Sequence, residues 1–116
     1  MAVVANKPVA KGNTLLVEYD NMKNGDTGDP VLGFDYSDIT VQIDVVTLGT
    51  GGTIDLEGSN DGLTWQVLTD PQGGDLTFTA DGLKQVTEAC KFYRPNINGG
   101  DGTTDMNVWL FMRRQR

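Results

Sequence analysis

Between Asp38 and Val45 apolar and polar residues alternate without a break. Ile39, Val41, Ile43 and Val45 fall on one side, and Asp38, Thr40, Gln42 and Asp44 on the other. A period of two is the repeat of a β-strand with one face in a core and the other in water. The same repeat returns on both sides of Asn60-Asp61-Gly62, with Ile54 and Leu56 before the turn and Leu63, Trp65 and Val67 after it. An Asp-Gly turn between two alternating runs predicts a β-hairpin, and the alternation puts Trp65 in the core.

Further strands are expected over residues 14–19, where Leu15, Val17 and Tyr19 oppose Thr14, Leu16 and Glu18, and briefly around residues 31–34. Others are expected at Leu76 and Phe78, over residues 91–97, and over residues 104–112. Pro95 confines the strand that contains it to an edge or a bulge, because proline donates no ladder hydrogen bond. Only residues 80–90 change period: Leu83, Val86 and Cys90 are spaced by three and four, with Asp81 placed to cap free amides. That spacing predicts one or two helical turns. Gly- and Asp-rich stretches at residues 24–30, 70–74 and 98–102 separate the strands as turns.

Seven or eight short strands and one short helix predict an all-β, single-domain β-sandwich of jelly-roll or immunoglobulin-like type. The first thirteen residues carry Val3, Val4 and Val9 without a convincing core period. They are read as an N-terminal arm (residues 1–13) ahead of a sandwich domain (residues 14–116), an arm able to lie across a neighbour.

Composition supports this reading. A chain of 116 residues has room for one core, and its fifteen glycines are nearly twice the ~7% of an average protein, which favours turns over helices. No apolar run approaches the ~20 residues of a membrane-spanning helix, and the first residues lack the basic-then-apolar order of a signal peptide. The chain has no histidine and one cysteine, Cys90. Zinc sites and histidine-based triads are therefore not expected, and no intramolecular disulfide is possible.

The net charge of −7 is unevenly placed. From Asn24 to Cys90 there are twelve acids and a single base, Lys84, whereas Arg113, Arg114 and Arg116 close the chain. An acidic body with basic ends argues against nucleic-acid binding and suits docking between complementary protein surfaces.

The last strand carries apolar residues on both faces: Met106, Val108, Leu110 and Met112 on one, Trp109 and Phe111 beside Asn107 on the other. A covered aromatic side chain buries about 150–250 Å², so both rings are expected to be covered. Two coverings remain open: a loop or the leader of the same chain, or another subunit, since Trp, Phe, Met and Arg are enriched at interfaces. The candidate interface residues are Val3, Val4, Val9, Trp109, Phe111, Arg113, Arg114 and Arg116.

Three blocks in this order and spacing, Glu57 to Trp65, Phe78 to Lys84 and Tyr93 to Thr104, resemble those of small tailed-bacteriophage virion proteins, most closely capsid decoration (cement) proteins. The resemblance covers residues 40–114. It implies a structural protein without enzymatic activity or cofactor, a β-sandwich assembling as a homo-oligomer, with a trimer favoured. It further implies a major capsid protein as partner and a place on the outer surface of the virion after synthesis in the host cytoplasm. There the protein would bridge neighbouring capsid subunits, contacting neither membrane nor nucleic acid.

A Gly-Ser-Asn-Asp-Gly-x-x-Trp hairpin also occurs in discoidin- and lectin-like carbohydrate-binding modules, for which Phe34 and Tyr36 are the candidate aromatics. Asp26, Asp29 and Asp61 have the oxygen chemistry calcium prefers, but no complete calcium-loop spacing is present and turn chemistry accounts for them. No carboxylate pair is singled out for hydrolysis, and neither a metal nor a cofactor is expected.

Overall fold

Residues 38–45 lie in β6 (Asp38–Thr47), and the aromatic-rich C-terminal run is β12 (Asp105–Arg113). The two pair antiparallel, Leu110 opposite Val41 and Val108 opposite Ile43. The computed structural model describes residues 2–33 and 36–114. Two residues singled out from the sequence, Phe34 and Arg116, lie outside the described residues.

Around β12 a five-stranded antiparallel sheet runs β10-β6-β12-β3-β2, with β10 at Gly82–Gln85, β3 at Thr14–Met22 and β2 at Lys7–Lys11. A seven-stranded sheet faces it. Its path joins β1 (Val3–Val4), β4 (Thr27–Gly28), β11 (Phe92–Gly99), β7 (Thr53–Ser59) and β8 (Gln66–Val67), while β5 (Val31–Leu32) pairs with β11 and β9 (Thr77–Phe78) with β7. The protein is all-β, with no helix among the described residues.

One core lies between the sheets. Val17, Tyr19, Ile39, Val41, Ile43, Val108, Leu110 and Met112 enter it from the five-stranded side, and Ile54, Leu56, Tyr93 and Ile97 from the other. The period-two reading of β12 places Met106, Val108, Leu110 and Met112 together, and all four are fully buried. Fully burying one such side chain is worth about 1.5–3 kcal/mol, so this strand is a large share of the hydrophobic stabilisation. A bulge between Met106 and Val108 in the pairing with β3 is absorbed at Asn21, whose φ of 56° is tolerable because asparagine enters the left-handed region more easily than most residues.

Three expectations are corrected. The strand with Pro95 is not at an edge: β11 has β7 on one side and β5 and β4 on the other, and Pro95 falls between the residues paired with β5 and the one paired with β4, where no ladder donor is needed. Residues 80–90 form no helix: Gly82–Gln85 is the edge strand β10, with Leu83 opposite Gln42, and the chain stays extended as Val86 N–H donates to Ile39 C=O at 2.9 Å. In a strand, residues three apart face opposite ways, so Leu83 is 65% exposed while Val86 is buried. A cross-strand partner and a glycine at the start outweigh the weak three-and-four spacing.

Trp65 is not in the core. Asp61 accepts hydrogen bonds from Leu63 N–H at 2.8 Å and Thr64 N–H at 2.9 Å, curling residues 60–65 so that the strand resumes only at Gln66. Leu63 is 86% exposed and Trp65 lies half-buried outside the strands.

The leader supplies an outer strand to each sheet. β1 runs parallel to β4, with Thr27 N–H donating to Ala2 C=O and Asp29 N–H to Val4 C=O. β2 lies along β3, Pro8 opposite Val17, a place proline tolerates because an edge strand leaves one side unpaired.

The sheets approach closely at Gly28. A Cβ there would stand 2.6 Å from both Pro95 Cδ and Tyr19 Cε2, whereas one at Gly102 would meet nothing within 4 Å. Gly28→Ala is expected to lower unfolding stability by about 1–3 kcal/mol in urea titrations, and Gly102→Ala to stay within about 0.5 kcal/mol of the parent. Equal effects at the two positions would mean that the approach at Gly28 is not tight.

Candidate functional site

The two sheets present very different outer faces. On the seven-stranded sheet, β7 and β11 pair Glu57 with Arg94 and Asp55 with Asn96, and these outward side chains bind one another. Glu57 accepts from Arg94 Nε at 3.0 Å and Asn96 Nδ2 at 3.1 Å; Asp55 accepts from Thr77 Oγ1 at 2.6 Å and from Asn98. Trp65 closes the network, with the Arg94 guanidinium carbon 4.2 Å from its ring centroid. Asp55 and Glu57 are buried, yet both are well supplied with donors, which is the condition for keeping a carboxylate out of water. The polar centre of this face is internally satisfied, and its exposed apolar residues, Val3, Leu32 and Val67, stand on β1, β5 and β8.

The outer face of the five-stranded sheet instead aligns apolar residues from neighbouring strands. Strand register aligns Val9 with Leu16, Leu16 with Phe111, and Phe111 with Thr40, so three apolar side chains from three strands stand in one transverse row. They are 63%, 38% and 42% exposed. The adjacent row runs Lys7, Glu18, Trp109, Gln42 and Leu83. Ion pairs frame the patch: Lys7 Nζ to Asp20 Oδ2 at 2.5 Å and Arg113 Nη2 to Asp38 Oδ2 at 2.7 Å. An apolar centre with a charged rim is the anatomy of a protein-docking surface.

Of the interface residues chosen from sequence, Val9, Trp109, Phe111 and Arg113 come together on this face. Val3 and Val4 do not: they sit on the outer strand of the other sheet, pairing with Thr27 and Gly28. Arg114 carries its guanidinium carbon 5.6 Å from the Tyr36 ring centroid. Leu16 and Leu83 belong to the patch and were missed. Leu16 was legible as the one apolar residue among Thr14 and Glu18 on the outward side of β3, whereas Leu83 was hidden by the helical reading.

Other candidate chemistry is dispersed. Tyr36, a possible sugar platform, is half-buried and packs against the core. Asp26 accepts from Ala2 N–H at 3.1 Å and Lys23 N–H at 2.9 Å, and Asp61 binds its own loop, so neither carboxylate stands free in a shared cluster. Burial, assisted by Glu88, pushes the Cys90 thiol up, away from thiolate chemistry, and burial also raises the Tyr93 phenol to about 12.

No family model matches the chain, and no curated protein matches it. Among solved structures, the chain is similar to the SPBc2 prophage-derived protein YomS, with a TM-score of 0.65 at 12% identity, covering 90% of this chain and 97% of that one. The likeness is one of fold. BH2720 from Bacillus halodurans (TM-score 0.45, 9% identity, 96% of this chain and 71% of that one) and KdgF from Halomonas sp. (0.38, 13%, 95% and 78%) align more loosely.

The loop that carries Trp65 depends on an ionised Asp61. Hydrogen bonds from Thr64 N–H, Leu63 N–H and the Ser59 hydroxyl lower its carboxyl to about 2. An ordinary aspartate titrates near ~3.9, so the loop's contribution to stability is complete above that pH and is lost as pH falls toward 2. Carboxyl-carbon NMR is expected to place the Asp61 midpoint near 2 and Asp61→Asn to flatten the stability profile between pH 4 and pH 2, roughly the span of the two values. An Asp61 midpoint near 4 would contradict this arrangement.

Proposed function

We propose that this chain is a non-enzymatic structural protein of a tailed-phage virion, a jelly-roll-type sandwich that binds the outside of the capsid and bridges neighbouring capsid subunits. The observation that carries the reading is the row Val9, Leu16 and Phe111 with Trp109 beside it, an apolar stripe on a sheet face that also exposes Leu83 and Val46. Its partners are then the major capsid protein and further copies of the chain, with a trimer favoured. The fold likeness to a prophage-derived protein and the three resembling sequence blocks support a phage setting.

The physical logic is that of a clamp. A shell under outward stress separates first at the junctions between its subunits, and a protein touching several of them gains from effective concentration, so moderate individual contacts suffice. An aromatic at the centre of the contact is the residue type that dominates such binding. No reacting group is required, because the work is done by buried area.

Phe111→Ser is the direct test, because the ring is 42% exposed and its loss is expected to change folding stability by less than about 1 kcal/mol. Co-sedimentation with capsids of the encoding phage is expected to weaken at least tenfold in the variant, the order of effect of removing a central aromatic anchor. Unchanged binding by the variant would move the contact elsewhere. A parent protein that remains monomeric by sedimentation and ignores capsids would end the proposal.

A further inference from the structure

Trp109 has a second role beside the apolar row. It forms one wall of an open cleft of about 390 Å³ over the outer side of β6, with Leu83 of β10 opposite and Gln42, Asp44 and Asp81 supplying polar groups. That volume is at the low end of the ~300–1,000 Å³ of small-ligand pockets, a size suited to one side chain or one ring.

Neither carboxylate is consumed by its neighbours. Asp44 Oδ2 accepts one long bond from Asn107 Nδ2 at 3.3 Å, and Asp81 Oδ1 accepts Val45 N–H at 2.7 Å. Among the described residues no lysine or arginine forms an ion pair with either acid, and none stacks on Trp109.

The other sheet shows what this chemistry accepts. There a tryptophan (Trp65) and a carboxylate (Glu57) jointly hold a guanidinium, that of Arg94, stacked at 4.2 Å and bonded at 3.0 Å. The cleft repeats the pairing of indole and carboxylate, with two acids, on a protein of net charge −7. We propose that the cleft receives an arginine side chain from a partner protein, its guanidinium against Trp109 and paired with Asp44 and Asp81.

Arginine suits the site better than lysine because a planar guanidinium stacks on an indole while still offering N–H groups to carboxylates. The backbone beside the cleft is also receptive. The Val86 to Ile39 hydrogen bond fixes the phase of β10, so the N–H and C=O groups of Leu83 and Gln85 point away from β6 toward the sheet's open edge. An extended partner segment lying there places its side chains over the cleft.

The inference rests on the five-stranded face being the docking surface, and it supplies the chemistry of what docks. Titrating the ¹⁵N-labelled full chain with acetylated tri-arginine amide tests it, with tri-lysine, tri-glutamate and a neutral disaccharide as comparison probes. The Trp109 indole N–H is expected to shift saturably with tri-arginine while that of Trp65, already occupied, stays put. Tri-lysine is expected to bind more weakly, and Asp44→Asn to raise half-saturation by about fivefold or more. A still Trp109 signal, equal response in Asp44→Asn, or an equal shift with tri-glutamate or the disaccharide would each overturn the assignment.

The two proposals separate cleanly. Capsid binding that depends on Phe111 without any peptide response removes the cleft alone. A specific peptide response with capsid binding indifferent to Phe111→Ser removes the docking reading and leaves an arginine-binding cleft.

Discussion

Two buried tyrosines hold this protein's sheets and loops in one arrangement. Tyr19 and Tyr93 are the largest of its fully buried side chains, and each must satisfy a hydroxyl inside the core. An unsatisfied buried hydroxyl costs about 1–3 kcal/mol, so the position of its acceptor is strongly constrained. Tyr19 donates to Asp29 C=O at 2.8 Å; Tyr93 donates to Glu88 C=O at 2.9 Å and accepts Cys90 N–H at 2.7 Å. Both sets of partners lie in connecting segments with no ladder of their own. Each ring also lies against a glycine: a Cβ at Gly28 would meet Tyr19 at 2.6 Å, and one at Gly33 would meet Tyr93 at 2.2 Å. Chain that lacks secondary structure is thus positioned by side chains planted in the sheets.

That arrangement explains which parts of the fold are legible in sequence. β6 and β12 are readable because an alternating strand in mid-sheet records its environment at every residue, as Ile39 to Ile43 and Met106 to Met112 do. β2 is not, because Lys7, Pro8, Val9, Ala10 and Lys11 are all exposed and the strand is placed by pairing with β3 rather than by burial. β10 misleads for a related reason. Its four residues are too few for a period, and the Gly82 backbone is needed against the Phe78 ring, which a Cβ would approach to 2.8 Å. At Trp65 a strand-like alternation is overridden by one carboxylate, Asp61, that gathers the loop's amides, and side-chain capture of backbone donors leaves no periodic trace.

The site was partly legible on the same grounds. Trp109 and Phe111 stand out because apolar residues occupy both faces of β12, an excess that one core cannot use. Register was the missing knowledge: Val9 and Leu16 join Phe111 only because β2, β3 and β12 align in one particular way, and pairing partners many residues apart are not written in local pattern.

The contrast between the outer faces is where architecture turns into function. Both have a tryptophan near acidic side chains, but the seven-stranded sheet closes its set with Arg94, Asn96 and Asn98 from its own β11. Polar groups already satisfied gain little from a partner, since any new contact with them must first displace existing hydrogen bonds. The five-stranded face holds Lys7 and Arg113 at the rim in pairs with Asp20 and Asp38, and among the described residues no base pairs with the two acids of the cleft. If this face docks as proposed, its hydrophobic area would contribute affinity and the acids selection, because an incoming acidic or uncharged segment would leave them desolvated without a counter-charge. On that proposal specificity and strength would come from adjacent groups on one sheet, the acids of the cleft beside the apolar row.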